Sequence, residues 1–158
     1  MKFLNSDNVI PKLYCIRFKD KEFGCAPNKC TALKLEKLGL LKIIPHISKN
    51  LKQAVILNPL ANKEISNDDR ELMLKYGLIV IDCSWKKIIS INKYFLKNER
   101  KLPPLIAANP INYGKWEKLS SAEALAAALY LTNFRKHANL LLSKFSWGMQ
   151  FFEINKIN

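Results

Sequence analysis

The sequence predicts an α/β fold, with a parallel sheet and its helices in residues 1–101 and an all-helical segment in 102–158. Three observations carry the prediction. Two short apolar runs, AVIL at 54–57 and LIVI at 78–81, are unbroken by polar residues, the pattern of strands buried on both faces. A capped helical stretch lies between them, which makes a strand, helix, strand unit and forces parallel pairing. The last third has Ala- and Leu-rich stretches with helix-start signals.

In chain order, Tyr14, Ile16 and Phe18 alternate with Cys15, Arg17 and Lys19, the period of a half-buried first strand. Pro27 and Asn28 open a short helix over residues 29–38, where Leu33, Leu35 and Leu38 are the apolar positions and Gly39 is the stop. The run at 54–57 ends at Asn58 and Pro59. Ser66 or Asn67 then caps a helix over 68–76, with acids in its first turn, where the helix dipole favours them, and Gly77 after its end. The run at 78–81 ends at Asp82, and Ser84 caps a helix through Trp85, Ile88, Ile89 and Ile91 towards Tyr94. Pro103 and Pro104 give an extended segment, and Asn109, Pro110, Asn112 and Gly114 give turns. Ser120 with Glu123 three residues later is a capping box opening a helix over 122–131; a second helix follows at 134–145, and a short last one holds Met149, Phe151, Phe152 and Ile154.

The 158 residues carry 26 Lys+Arg against 13 Asp+Glu, a net charge of +13. The excess is spread over every third of the chain, so a basic surface must be assembled by folding, and a polyanion is the first partner to consider. At 49% hydrophobic the chain can bury a core. No apolar run approaches the roughly 18 residues of a bilayer span, and the start carries Asn5, Ser6, Asp7 and Asn8, which together predict a cytoplasmic protein without a membrane partner. Cys25 and Cys30 are spaced C-x4-C with no second pair or nearby histidine, so no metal is expected and the four cysteines read as reduced thiols. His137 reads as a surface or boundary residue, and neither it nor His46 is assigned a role. Glycine-rich phosphate cradles, the G-x-S-x-G elbow and H-E-x-x-H are all absent, which removes support for kinase, hydrolase and dinucleotide-binding readings.

Polar and turn-forming residues cluster after the two buried strands: Asn58 and Pro59 after the first, Asp82, Cys83, Ser84 and Trp85 after the second. In an open parallel sheet these ends face the ligand crevice. Trp85 either walls a ligand or anchors its helix. Thr31 offers a hydroxyl that suits a carboxylate or caps a turn, and the loop 105–114 either presents backbone groups to a ring or merely connects.

The blocks GCAPNKCTALKLEKLGL (24–40), ILNP (56–59), DCSW (82–85), RKLPPLIAANPINYG (100–114), LSSAEALAAAL (119–129) and KFSWGMQFFEIN (144–155) together resemble the small-subunit rRNA aminocarboxypropyltransferase family. That resemblance implies a SPOUT-like, knotted parallel-sheet domain followed by a helical domain. It also implies transfer of the 3-amino-3-carboxypropyl group of S-adenosylmethionine to a ring nitrogen of a (methyl)pseudouridine in small-subunit rRNA or a pre-ribosomal particle, by a monomeric enzyme. Carried over residue by residue, it places donor contacts at Thr31, Leu57, Pro59, Ile81, Trp85, Leu102 and Ser121, with Trp116 or Glu117 as a further one. Trp85 would bury the methyl group. Lys29, Lys34 and Arg100 would face RNA, and Asp82 is the candidate proton acceptor or else caps its turn. The chain departs from the family's C-D-P-K-K-C-[ST] loop at Ala26 and Asn28, losing an acid and a base. A methyltransferase of the same fold, or an rRNA-binding assembly factor without chemistry, are the alternatives.

Overall fold

The computed structural model describes residues 9–17, 30–82 and 97–157. Five strands, β1 (Leu13–Arg17), β2 (Lys42–Ile44), β3 (Val55–Leu57), β4 (Leu78–Asp82) and β5 (Glu99–Arg100), form one sheet in the order β2-β1-β4-β3-β5. Every pairing is parallel. The two unbroken apolar runs are the inner strands β3 and β4, and their alternation sorts side chains to two sides. Val55, Leu57, Leu78 and Val80 join the larger core, while Ile56 and Ile79 join a smaller one.

β1 is not half-exposed. Leu13, Cys15 and Ile16 are all buried, because β1 lies between β2 and β4 rather than at an edge. β2 and β5 carry no sequence signal that predicts them: one is KII, the other the charged pair Glu99 and Arg100. Phe18, Lys19, Lys29, Cys25, Cys83, Trp85 and the helix expected after Ser84 lie outside the described residues.

Five α-helices are described: α1 (Thr31–Lys37), α2 (Arg70–Tyr76), α3 (Ser121–Leu131), α4 (Arg135–Ser143) and α5 (Gly148–Ile154). A 3-10 turn, Asn67–Asp69, precedes α2 and carries the expected cap, with Ser66 accepting from the Asp68 amide and Asp69 accepting from the Ser66 amide. Gly77, at φ +100°, closes α2 into β4; a Cβ there would stand 2.9 Å from the Tyr14 ring and 3.0 Å from the Lys12 carbonyl. The capping box at Ser120 and Glu123 is also present. α3 is alanine-rich because it lies against the sheet: six of its residues, among them Ala126, Ala127 and Ala128, are buried in the same core as the strands. His137, expected at the boundary, is 6% exposed, and burial lowers its pKa below the ordinary 6.5. Among the described residues no helix is long and apolar enough to cross a membrane.

Candidate functional site

The carboxyl ends of β3, β4 and β5 open into a cleft of about 960 Å³, a size suited to a small-molecule ligand. Its place follows from topology. β1 is followed in the chain by β2 on one side, and β4 by β5 on the other, so the order reverses between β1 and β4 and leaves a crevice beyond the strand ends. The strands supply Leu57, Val80, Ile81 and Asp82; the starts of α1 and α3 supply Thr31 and Ser121; the segment after α4 supplies Phe145 and Trp147.

The loop over residues 105–117 closes the cleft and is folded back on itself. The Ala107 amide donates to the Lys115 carbonyl (2.9 Å), the Gly114 amide to Ala107 (2.8 Å) and the Glu117 amide to Leu105 (2.9 Å). Its anchor is Glu123, which is fully buried. One carboxylate oxygen accepts from Asn109 Nδ2 (2.6 Å), the Ser120 amide (2.9 Å) and the Ser120 hydroxyl (3.0 Å), and the other accepts from the Ala108 amide (2.7 Å). A buried carboxylate is tolerated only when its acceptor sites are filled in this way. Asn109 in turn accepts from the Asn112 amide at 3.0 Å, so the AANP and LSSAEA blocks are halves of one clasp. Asn155, at the end of α5, holds the other side: it accepts from the Ile106 amide (2.7 Å) and donates to the Ile106 carbonyl (2.9 Å).

Of the residues singled out from sequence, Thr31, Lys34, Leu57, Pro59, Ile81, Asp82, Leu102, Glu117 and Ser121 all line the cleft. Thr31 Oγ1 accepts from the Ala122 amide (3.1 Å), tying the starts of α1 and α3 together. A hydroxyl that accepts one bond keeps its own proton to donate. Asp82 Oδ2 accepts from the Cys30 thiol (3.4 Å) and lies 3.8 Å from Arg17 Nε. Lys34 is exposed, its ammonium donating to the Lys144 carbonyl at 2.6 Å and lying 4.8 Å over the Phe145 ring.

Two residues stand elsewhere. Trp116 is 60% exposed and is not part of the cleft lining, whereas its neighbour Glu117 is; the backbone there turns, with Glu117 at φ +57°. Arg100 is 8% exposed, and its Nε donates to the buried Asp69 at 2.9 Å. A guanidinium held in the interior by a carboxylate anchors β5 to the start of α2 and does not present itself to a phosphate. Asn109, Glu123 and Asn155 are not among the site residues expected from sequence. For Glu123 the capping box is a partial signal; the two asparagines fall inside the blocks 100–114 and 144–155, but nothing in their spacing shows that they hold the loop. Among the described residues no group of three or more His, Cys, Asp and Glu stands together as a metal site.

A family model described as "Ribosome biogenesis protein, C-terminal" matches residues 55–158. A 16S rRNA aminocarboxypropyltransferase of Methanosphaera stadtmanae is 46% identical over 134 residues, covering 84% of this chain and 78% of that protein. The protein of the same name from Thermoplasma volcanium is 48% identical over 130 residues, covering 82% and 78%. Among solved structures, the SAM-dependent rRNA:acp-transferase Tsr3 from Vulcanisaeta distributa is similar with a TM-score of 0.82 at 36% identity, covering 93% of this chain and 79% of that one.

Proposed function

The chain belongs to the 16S rRNA aminocarboxypropyltransferase family, and from that membership we propose how its cleft selects the group transferred and the atom that receives it. The protein is an S-adenosylmethionine-dependent transferase of the 3-amino-3-carboxypropyl group to small-subunit rRNA, acting in ribosome biogenesis. The observation that carries the reading is the meeting, in one cleft, of residues from separate sequence blocks: Thr31, Leu57, Pro59, Asp82, Leu102, Asn109, Ser121 and Trp147.

S-adenosylmethionine supplies a sulfonium that activates three carbons, and the carbon presented in line to the nucleophile is the one transferred. The chain's task is therefore orientation. Leu57, Pro59 and Leu102 offer apolar surface for the adenine, with backbone groups at Leu102 and Ile81 for its edge and the ribose. Thr31, whose proton is left to donate, and Ser121 suit the carboxylate end of the amino-acid arm. Trp85 walls in the methyl group, so that the aminocarboxypropyl carbon faces the acceptor. The acceptor is a ring nitrogen of a (methyl)pseudouridine, and Asp82, positioned by Cys30 and Arg17, takes its proton. Lys29 and Lys34 hold the RNA backbone, while Arg100 serves the fold. The reading extends to a SPOUT-like knot in a sheet domain of residues 1–101, a helical domain of 102–158, and a cytoplasmic monomer; the all-parallel sheet and the family membership support the first of these.

The test uses S-adenosylmethionine labelled separately in the methyl and the carboxyl carbon, with small-subunit rRNA lacking the modification. Carboxyl label entering RNA while methyl label leaves in methylthioadenosine is the expected result. Methyl label in RNA would instead make the protein a methyltransferase, and neither label despite RNA binding would make it an assembly factor.

A further inference from the structure

We propose that the tip of the loop over 105–117 is a stacking platform for RNA, on which Tyr113 and Trp116 take unpaired bases that flank the target nucleotide, outside the transfer cleft. Three large apolar side chains meet solvent within residues 111–116: Ile111 is 59% exposed, Tyr113 60% and Trp116 60%. Such side chains scattered singly over a surface need no explanation, but three in one short loop mark a contact surface.

The backbone puts them there. Two successive turns are closed by the Asn112 amide on the Asn109 carbonyl (3.2 Å) and by the Lys115 amide on the Asn112 carbonyl (3.0 Å), and they carry Ile111 and Tyr113 at central positions. Gly114, at φ +79°, supplies the left-handed residue of the second turn. Trp116 follows, paired with Ile106 across an antiparallel bridge. Glu123 and Asn155 clamp the base of this loop. The two rings therefore stand on a rigid support, and stacking on them costs little further ordering of the chain.

Charge selects the partner. Lys115 and Lys118 are exposed, and among the described residues neither lies within ion-pair distance of a carboxylate. Glu117, the single acid in the stretch 105–118, belongs to the cleft lining. Aromatic rings interleaved with lysines suit single-stranded nucleic acid, because every base offers a face to a ring and every phosphate offers a charge to an ammonium. A second copy of the chain, itself at +13, does not suit this face. Ile111, Asn112 and Lys118 also line the cleft, so a strand that crosses the loop arrives at the cleft mouth. The choice of RNA as partner rests on the proposed function. The platform adds that the nucleotides beside the target are unpaired, since a base inside a duplex has no free face to stack.

The test compares the RNA affinity of the wild-type chain with that of Trp116→Ala, Tyr113→Ala and Trp116→Phe, using small-subunit rRNA that lacks the modification and, separately, a fully paired RNA duplex. Each alanine variant is expected to bind the rRNA about five-fold to a hundred-fold more weakly. The slope of log affinity against log salt should not change, because no charge is removed, and S-adenosylmethionine affinity should stay as it is. Trp116→Phe is expected to keep most of the affinity, and duplex binding to be the same for all four proteins. Wild-type affinity for rRNA in both alanine variants would overturn the proposal, as would an equal loss on the duplex. Unaltered rRNA affinity with reduced transfer into a pre-ribosomal particle would also overturn it, by making the loop a protein contact. Failure of the proposed function would look different: the wild-type chain would bind rRNA and transfer neither label, while the effect of Trp116→Ala on binding stood.

Discussion

Glu123 takes four hydrogen bonds on one buried carboxylate and so joins the loop over 105–117 to the start of α3. Replacing it by Gln turns one accepting oxygen into a donor facing donors. Glu123→Gln is expected to cost about 1–3 kcal/mol in urea unfolding and to weaken S-adenosylmethionine binding, since the loop lines the cleft. Only half of this residue was legible. A Ser three positions before a Glu marks a helix start by local geometry, but the bonds to Ala108 and Asn109 come from a chain reversal that spacing does not encode. Arg100 is a different case: the family resemblance places it on the RNA face, while the carboxylate that holds it in the interior, Asp69, lies 31 positions away, beyond what local spacing shows. Arg100→Ala leaves Asp69 buried without its partner and is expected to cost about 3–5 kcal/mol. The salt dependence of RNA binding should not change, which is the readout that separates an anchor from a phosphate ligand.

At the level of elements, β3 and β4 were readable because burial on both faces removes polar residues from a strand. α3 was readable because a capping box precedes an alanine-rich run. β2 and β5 were not, since three residues or two form a strand only where a neighbour already offers a ladder, and that neighbour is set by the tertiary fold. Gly148 belongs to the same class of hidden constraint. A Cβ there would stand 1.9 Å from the Leu142 carbonyl oxygen, so glycine is what lets α5 cross the end of α4. Gly148→Ala is expected to lower stability by about 1–3 kcal/mol, read as a lower Tm. It should also disturb Trp147, one position before it on the cleft wall.

For the whole molecule, the net charge of +13 announced a polyanion partner but not which lysines meet it; the structure places Lys34, Lys101 and Lys118 at the cleft and Arg100 in the interior. Burial of His137 gives the fold a pH dependence. Its folded pKa lies below the ordinary 6.5, so above that value both states hold it neutral and nothing changes. As pH falls through 6.5 the unfolded chain takes a proton that the folded one resists, and stability declines. Tm is therefore expected to fall from pH 7.5 to pH 5, and His137→Gln to flatten that decline. The measurement that tests the account most directly is a titration of the 15N-labelled protein with S-adenosylmethionine, read by amide shifts. The account predicts that the largest shifts fall on Thr31, Asn58, Ile81, Asp82, Leu102 and Ser121, which come from distant parts of the chain and meet at the ends of β3, β4 and β5. Shifts concentrated at the start of α4, or spread without focus, would contradict it.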